Sequence, residues 1–325
     1  MIWFWLGFFA LVALLLALDL GVLHRKASEP TLKSAALWTV AWVALGLAFS
    51  GIVFLIYENH WLGAHLKGAP PGQAGGGDAA ITYVSAYLLE QALSIDNIFV
   101  IHLIFNKQFR IPVKYQHRVL FWGILGAIVF RLTMLGGGAY LAARFDWIFY
   151  IFGGYLAYQG LKLLRGGDDE EEEAGDSWAL RQLRKVVRVV DGDHGGRFRV
   201  TVDGRTALTM VAVCLVVIEL TDIVFAMDSI PAVLSVSQET FIMVTSNIFA
   251  IMGLRSLYFV LAGAVDKFQY LGYALGVLLI LIGAKMVAHR WYDPGHLISL
   301  LAIAGIIAIG VLASVIARGR ASPSP

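Results

Sequence analysis

Nine apolar runs, each long enough to cross a lipid bilayer, dominate this sequence of 325 residues. A hydrocarbon core of about 30 Å needs roughly 20 consecutive apolar residues in a helix. The runs cover residues 2–23, 34–57, 80–105, 117–142, 146–165, 206–229, 241–262, 270–288 and 297–316. A chain in lipid must satisfy its backbone hydrogen bonds internally, so each run is expected to be helical. The sequence therefore predicts an all-α, polytopic membrane protein with about nine transmembrane helices.

The composition supports this class and excludes others. Hydrophobic residues make up 58% of the chain and charged residues 15%, with a mean hydropathy of +0.73, whereas soluble domains carry about a quarter charged residues. Cys214 is the one cysteine, so neither an intrachain disulfide nor a thiolate metal cluster can form. We find no nucleotide-binding, His-rich or nucleophile motif, and a net charge of +2 does not indicate a nucleic-acid partner. We therefore expect neither an enzyme nor an organic cofactor.

Basic residues are concentrated in alternate loops, which predicts the orientation of the chain. The basic segments are residues 24–33, 106–118, 166–205 and the C-terminal tail. The intervening loops at 58–79, 143–146 and 230–240 contain only Lys67 and Arg144. Because basic loops stay in the cytoplasm, we expect the N-terminus outside and the C-terminus in the cytoplasm. The start lacks a basic n-region, so the first run is interpreted as a retained span.

The longest polar segment, residues 166–205, is predicted to form a small cytoplasmic β-hairpin. Two β-rich runs, 186–190 and 198–202, flank a Gly-rich turn at 191–196. Two strands alone are marginally stable, so the hairpin is expected to rest on the membrane domain. The acidic run 168–173 is interpreted as a solvated linker, with a regulatory cation sensor as the alternative.

An internal repeat is visible at an offset of about 123 to 126 residues. Residues 96–100 match residues 222–226. The further matches are Arg131 with Arg255, Gly153 with Gly276, Gly160 with Gly283 and Lys162 with Lys285. Each unit holds three predicted spans, and an odd number inverts the second copy, which is typical of transporters with a midplane substrate site. The predicted divisions are 1–165 with the first repeat from about 80, the loop 166–205, the second repeat 206–288, and 289–325 as a final helix and tail.

Six acids are predicted inside or at the ends of these spans, where a charged group is expensive and indicates a functional site. They are Asp19, Glu90, Asp96, Glu219, Asp222 and Asp228. A structural ion pair explains a single acid well, but Arg131 and Arg255 cannot neutralise six. If all are ionised, −6 and +2 leave −4, so the region must hold protons, bind cations or open to water.

The candidate ligands in this region are all oxygen donors. Glu90, Ser94 and Asn97 share one helix face, as do Glu219 and Asp222. Asn97 and Asn247 add neutral oxygens, and such ligands suit Mg²⁺, Ca²⁺ or Mn²⁺. Pro231 disfavours helical geometry at the preceding residue, so we expect a break there that frees carbonyl groups beside Asp228.

Several long motifs resemble the TerC family of bacterial inner-membrane proteins. They are residues 18–21 with 24–26, 88–90 with 94–97, 115–124, 218–222 through 228–231, and 245–257. The resemblance covers nearly the whole chain and looks closest to the Alx/TerC branch. It implies a LysE-like transporter architecture and metal-ion transport, in a family named for tellurite resistance with several members linked to manganese export. The family's intramembrane acids would map onto the six acids given above.

The sequence therefore leads to the hypothesis of a Mn²⁺ exporter driven by proton exchange. Glu90, Asp96, Asp222 and Asp228 would be the first ligands, with Asn97 and Asn247 as neutral ligands. Glu219 and Asp19 would carry protons or add ligands, and Arg131 and Arg255 would balance charge. The alternatives are a Ca²⁺/H⁺ exchanger, transport of Mg²⁺, or a membrane scaffold with a structural metal. A homo-oligomer or a partner at residues 166–205 is left open.

Overall fold

The structure is a computed structural model, and it describes most of the chain. The described residues are 2–21, 31–61, 75–145, 147–165, 187–190, 192–202, 204–262, 270–288, 291 and 296–321. The predicted acidic linker at 168–173 lies outside them.

The chain folds into helices at every predicted apolar run. The first five are α1 (Ile2–Gly21), α2 (Leu32–Glu58), α3 (Gly76–Leu103), α4 (Val113–Arg144) and α5 (Ile148–Leu164). The next five are α6 (Met210–Val236), α7 (Thr240–Met252), α8 (Leu254–Ala262), α9 (Leu271–Ala288) and α10 (His296–Ala321). Nine runs yield ten helices because the seventh run is divided into α7 and α8. The helical membrane class predicted from the sequence is therefore confirmed.

Fewer helices meet the length and composition expected of a membrane span than the nine that the sequence predicts. Among the described residues, α2, α3, α4, α6 and α10 are long and apolar enough to cross a membrane. The pair α7 and α8, bent by 43°, adds a sixth candidate, while α1 and α9 contain shorter apolar helices. The count of nine spans and the repeat architecture therefore stay predictions.

The predicted break at Pro231 is wrong. Helix α6 continues through this proline to Val236. Proline removes one backbone donor, and helices in lipid tolerate this because neighbouring groups compensate for the lost bond. The expected set of free carbonyl groups at a helix end is therefore not formed at this position.

Glycines mark the closest contacts between helices. Along α4 and α6, Gly123 faces Ile218 and Gly138 faces Ile230, so the two helices run side by side in the same direction. Helices α5 and α9 touch backbone to backbone and run in opposite directions. A Cβ atom on Gly153 would lie 2.7 Å from the carbonyl oxygen of Gly283. One on Gly160 would lie 2.5 Å from that of Gly276. Small residues permit this approach in membrane helices.

A three-stranded sheet precedes α6. Its strands are β1 (Val189–Val190), β2 (Arg199–Val202) and β3 (Arg205–Thr209), in the order β1-β3-β2. Strand β1 is parallel to β3, and β2 is antiparallel to β3. The predicted pairing of 186–190 with 198–202 is therefore wrong. The hairpin is instead β2–β3, because Asp-Gly at 203–204 is a strong two-residue turn signal and Gly204 has a φ of +71°.

Asp193 joins the sheet to the first turn of α4. Its carboxylate accepts hydrogen bonds from the Gly195 backbone N–H at 2.8 Å and the Tyr115 hydroxyl at 2.9 Å. Lys114 lies 3.7 Å away. The Gly195 N–H, then the Tyr115 hydroxyl and the Lys114 charge, hold the pKa of Asp193 below its usual value. The ionised carboxylate of Asp193 therefore stabilises the docked sheet at pH values above its ordinary pKa. This stabilisation is lost as the pH falls through the lowered pKa of the docked state.

A second set of contacts completes this docking. Arg118 donates to the Gly196 carbonyl oxygen at 3.1 Å and lies 4.8 Å from the centre of the Phe198 ring. Gly196 has a φ of +69°, and a Cβ there would collide with the Tyr115 ring. The sheet therefore rests on the membrane domain, at the end of the bundle where α4 begins.

Candidate functional site

A buried arginine on α4 joins two acids from opposite sides. Arg131 Nη1 contacts Glu90 Oε1 of α3. On the other side, Arg131 Nη2 and Nε donate to the two carboxylate oxygens of Asp222 on α6, at 3.0 and 3.3 Å. Arg131 is 1% exposed, Glu90 0% and Asp222 13%. The three side chains form a closed acid–base–acid group between three helices.

Asn97 adds a neutral oxygen to this group. With its amide oriented so that both ends are satisfied, Asn97 Oδ1 accepts from Arg131 Nη2 at 3.0 Å. Its Nδ2 then donates to the Leu93 carbonyl oxygen at 3.2 Å. Glu90 and Asn97 are seven residues apart on α3, and this spacing brings both to one guanidinium. Arg131 is thus surrounded by oxygens from two helices.

The charges in this group do not balance. If both carboxylates are ionised, the one guanidinium leaves a formal charge of −1 on a group that is almost entirely buried. A bidentate arginine–carboxylate pair is among the stronger polar contacts. Removing these charges from water nevertheless carries a large desolvation cost. The arrangement is therefore suited to accept a second positive charge.

Glu219 lies one helical turn from Asp222 on the same face of α6. Its carboxylate packs against Gly126 of α4, in the space that a Cβ on this glycine would occupy. The side chain is half-buried, and its Oε2 atom is buried without a hydrogen-bond partner among the described residues. Sequence reasoning missed Gly126. The available signal was the glycine itself, because small residues in membrane helices permit a close approach of a neighbouring helix.

Further buried polar atoms on three of the helices have no hydrogen-bond partner among the described residues. They are Glu90 Oε2, Ser94 Oγ, Ser229 Oγ and Asn247 Nδ2. Such atoms are rare in native proteins, and a bound ion or water is a common reason for them. Their presence on α3, α6 and α7 is consistent with a hydrophilic ligand between these helices.

The remaining predicted site residues are only partly visible. The side chains of Asp19, Asp96 and Asp228 lie outside the described part of the structure. Arg255 is buried on α8. In the described part, no group of three or more His, Cys, Asp or Glu side chains is close enough to hold a metal ion. The structure therefore brings together Glu90, Asn97, Arg131 and Asp222, and the convergence of all six acids stays a prediction.

The sequence is similar to a group of bacterial membrane proteins. It is 41% identical over 322 residues to the uncharacterised membrane protein STKORF319 of Myxococcus xanthus, covering 98% of this chain and 94% of that protein. It is 38% identical over 304 residues to a protein of Escherichia coli K12 named "Putative membrane-bound redox modulator Alx", covering 93% and 91% of the two chains. A protein of the same name from Photorhabdus laumondii is 38% identical over 313 residues, covering 96% of this chain and 94% of its own length.

The family comparison agrees with these relatives. No solved structure matches this chain at a significant level. The sequence profile of the integral membrane protein TerC family matches residues 76–322, which extend from the start of α3 beyond the end of α10. This region contains the whole buried group around Arg131. The chain therefore belongs to the TerC family of integral membrane proteins.

Proposed function

We propose that this protein is a secondary transporter that exports divalent metal ions, with Mn²⁺ as the main substrate, in exchange for protons. The observation that carries the proposal is the buried guanidinium of Arg131, held by the oxygens of Glu90, Asp222 and Asn97. A site that surrounds one cation with carboxylate and amide oxygens has the ligand chemistry that Mn²⁺, Ca²⁺ and Mg²⁺ prefer.

Arg131 takes the place of the transported ion in this proposal. Its charge stabilises Glu90 and Asp222 when the site is empty, since two unpaired carboxylates at this depth would be very costly. An arriving divalent ion would displace the guanidinium and bind the same oxygens. Glu90 and Arg131 are both buried in this closed arrangement, so an ion would reach their oxygens only after the helices around them move apart.

The helix contacts support the two inverted repeats. The proposed relation exchanges Gly153 with Gly276 and Gly160 with Gly283. It therefore converts the contact of Gly153 with Gly283 into the contact of Gly276 with Gly160, and both contacts are present between α5 and α9. Transporters of this type bind substrate between the two copies, near the membrane midplane. Arg131 comes from the first proposed copy and Asp222 from the second.

The remaining acids complete the proposed cycle. Asp96 and Asp228 would add ligands, Asn247 would supply an amide oxygen, and Arg255 would balance charge in the second copy. Glu219 and Asp19 would carry protons or act as additional ligands. Export from an inside-negative cell costs about 2.3 kcal/mol per charge per 100 mV, and proton entry through the same carboxylates would supply the driving force. We further propose the bacterial inner membrane as the location, with the sheet in the cytoplasm, as its basic residues favour.

Flux measurements in proteoliposomes test this function. Purified protein is reconstituted, and uptake of Mn²⁺, Ca²⁺ and Mg²⁺ is followed with and without a pH gradient. We expect Mn²⁺ movement that depends on the gradient and is lost in Asp222→Asn and Glu90→Gln. The variant Asp78→Asn, in the first turn of α3, is the control and should keep its flux. Wild-type flux in the two site variants would remove the site from the mechanism, and preference for Ca²⁺ would favour a Ca²⁺/H⁺ exchanger.

A scaffold role is the second candidate, because the small sheet is firmly docked on α4 and presents a polar surface. Removing residues 187–202 separates the two functions. A scaffold would lose its activity, whereas a transporter would keep metal flux. Two of the relatives are named as redox modulators. This sequence contains one cysteine, so it has no pair of thiols that could form a disulfide within the chain.

A further inference from the structure

A chain of hydrogen bonds connects three helices at the end of the bundle that carries the sheet. The Tyr258 hydroxyl of α8 donates to Gln116 Oε1 of α4 at 2.9 Å. Gln116 Nε2 donates to the Ile111 carbonyl oxygen at 2.9 Å and approaches Asn106 Oδ1 at 3.4 Å. Asn106 in turn contacts the His102 ring at 3.0 Å. Asn106 is exposed at one end of this network, whereas Gln116 and Tyr258 are 2% and 1% exposed, so the hydrogen bond between these two side chains is closed to solvent.

The network begins in an irregular part of the chain. After α3, residues Ile104–Gln108 form a π-helical turn, and the Phe109 N–H donates to the Ile104 carbonyl oxygen at 2.9 Å. Phe105 is fully buried, and its ring meets the Tyr258 ring edge to face at 5.5 Å. Such turns are rare and are frequent at functional sites. The end of α3 is therefore held in an unusual geometry by Tyr258 and Gln116.

The network and the apolar layer behind it separate the Arg131 group from this end of the bundle. Along α4, Gln116 precedes Arg131 by 15 residues, or about 22 Å at 1.5 Å per residue. The space between is lined by a buried cluster that includes Ile98, Val119, Cys214 and Ile251. In the proposed transporter, an ion arriving from the sheet side would have to pass both layers.

We propose that the hydrogen bond between Tyr258 and Gln116 is the gate on the sheet side of the transport site. The inference rests on the proposed function, and it identifies where the closed state has to open. Gln116 belongs to the first proposed repeat and Tyr258 to the second, so a relative movement of the two copies would separate them. Opening would also release Phe105 and the π-helical turn, which gives α3 freedom to move at the end nearest the sheet.

The single cysteine of the chain is a native reporter for this gate. Cys214 is fully buried in the same cluster as Tyr258, so a water-soluble maleimide can reach it only when this layer opens. The labelling rate of Cys214 is measured on protein in lipid nanodiscs, without any engineered cysteine. The variant Tyr258→Phe removes one hydroxyl, and Gln116→Met removes the opposite partner. The control is Tyr83→Phe, which removes an equally buried hydroxyl bonded to the Gly46 carbonyl oxygen elsewhere in the bundle.

We expect Tyr258→Phe and Gln116→Met to label about two- to tenfold faster than the wild type, the effect of losing one hydrogen bond, and Tyr83→Phe to label at the wild-type rate. Unchanged labelling in both gate variants would overturn the proposal. An equal rise in Tyr83→Phe would also overturn it, because the rise would then reflect general loosening of the fold.

The labelling readout is independent of metal transport, so the two proposals fail separately. Faster labelling of the gate variants in a protein that moves none of the tested metals would support the opening at Tyr258 and reject the proposed function. Metal flux by a wild-type protein whose gate variants label like the wild type would support the transporter and reject this gate.

Discussion

Arg131 binds Asp222 through two parallel hydrogen bonds across the contact between α4 and α6, although the residues are 91 positions apart. The same guanidinium contacts Glu90 from a third helix. This one side chain therefore ties together the helices that carry the candidate metal ligands, and its replacement should reveal both the stability and the function of the group.

Replacing Arg131 with methionine should strongly destabilise the protein. The change leaves Glu90 and Asp222 buried without a cation, which costs about 3–5 kcal/mol. The double variant Arg131→Met/Asp222→Asn should recover part of this loss because it removes one of the two charges. Thermal unfolding followed by size-exclusion chromatography measures the effect. Additive losses in the double variant would contradict a direct interaction.

Gly126→Ala should disturb Glu219 and reduce metal flux. The new Cβ would occupy the space of the Glu219 carboxylate, so the acid would have to leave its place beside Asp222. Gly136→Ala is a matched control on the same helix, because its Cβ would meet no atom within 4 Å. We expect a fall in flux of about tenfold for the first variant, the effect of roughly 1.4 kcal/mol, and none for the second. Equal flux in both would exclude a role for the position of Glu219.

The contact between α5 and α9 offers a test with adjacent residues. Gly153→Ala would place a methyl group against the backbone of Gly283 and should cost about 1–3 kcal/mol. Gly154→Ala has open space around its Cβ and should be neutral or stabilise by about 0.5–1 kcal/mol. Denaturation of the detergent-solubilised protein compares the two. Similar stabilities would argue against direct backbone contact between these helices.

Acid should release the sheet from α4. The lowered pKa of Asp193 means that its contacts with Tyr115 and Gly195 favour the ionised form, so docking weakens as the pH falls through this value. The protection factors of residues 192–202 in hydrogen exchange, which correct for the slower intrinsic exchange in acid, should therefore fall. In Asp193→Asn this pH dependence should be reduced, with exchange already faster at neutral pH. An unchanged pH dependence in the variant would assign it to another group.

The positions of the helices could be predicted because long apolar runs have few alternatives in lipid. Every run contains a helix, although the first four residues of the run 206–229 belong to β3. No distinct signal in the sequence marked the division at Gly253 between α7 and α8. The break expected at Pro231 does not occur, since the surrounding helices support α6 through a missing hydrogen bond. Local signals thus locate the helices better than they locate bends.

Contacts between distant residues were harder to predict. The sequence indicated that Arg131 balances buried acids, but it could not show that Glu90, Asn97 and Asp222 are the partners, because this depends on how α3, α4 and α6 pack. The close approach of Gly126 to Glu219 was missed for the same reason. In the sheet, the Asp-Gly pair at 203–204 was a local signal for the β2–β3 hairpin. The predicted pairing of 186–190 with 198–202 did not take this signal into account.

In the proposed mechanism, a divalent ion and Arg131 use the same oxygens. An experimental structure at saturating Mn²⁺, with anomalous scattering recorded at the manganese edge, tests it most directly. We predict a manganese peak bound by Glu90 and Asp222, with the Arg131 guanidinium withdrawn from both. A transport-active protein whose manganese lies elsewhere while Arg131 keeps its contacts with both acids would contradict it.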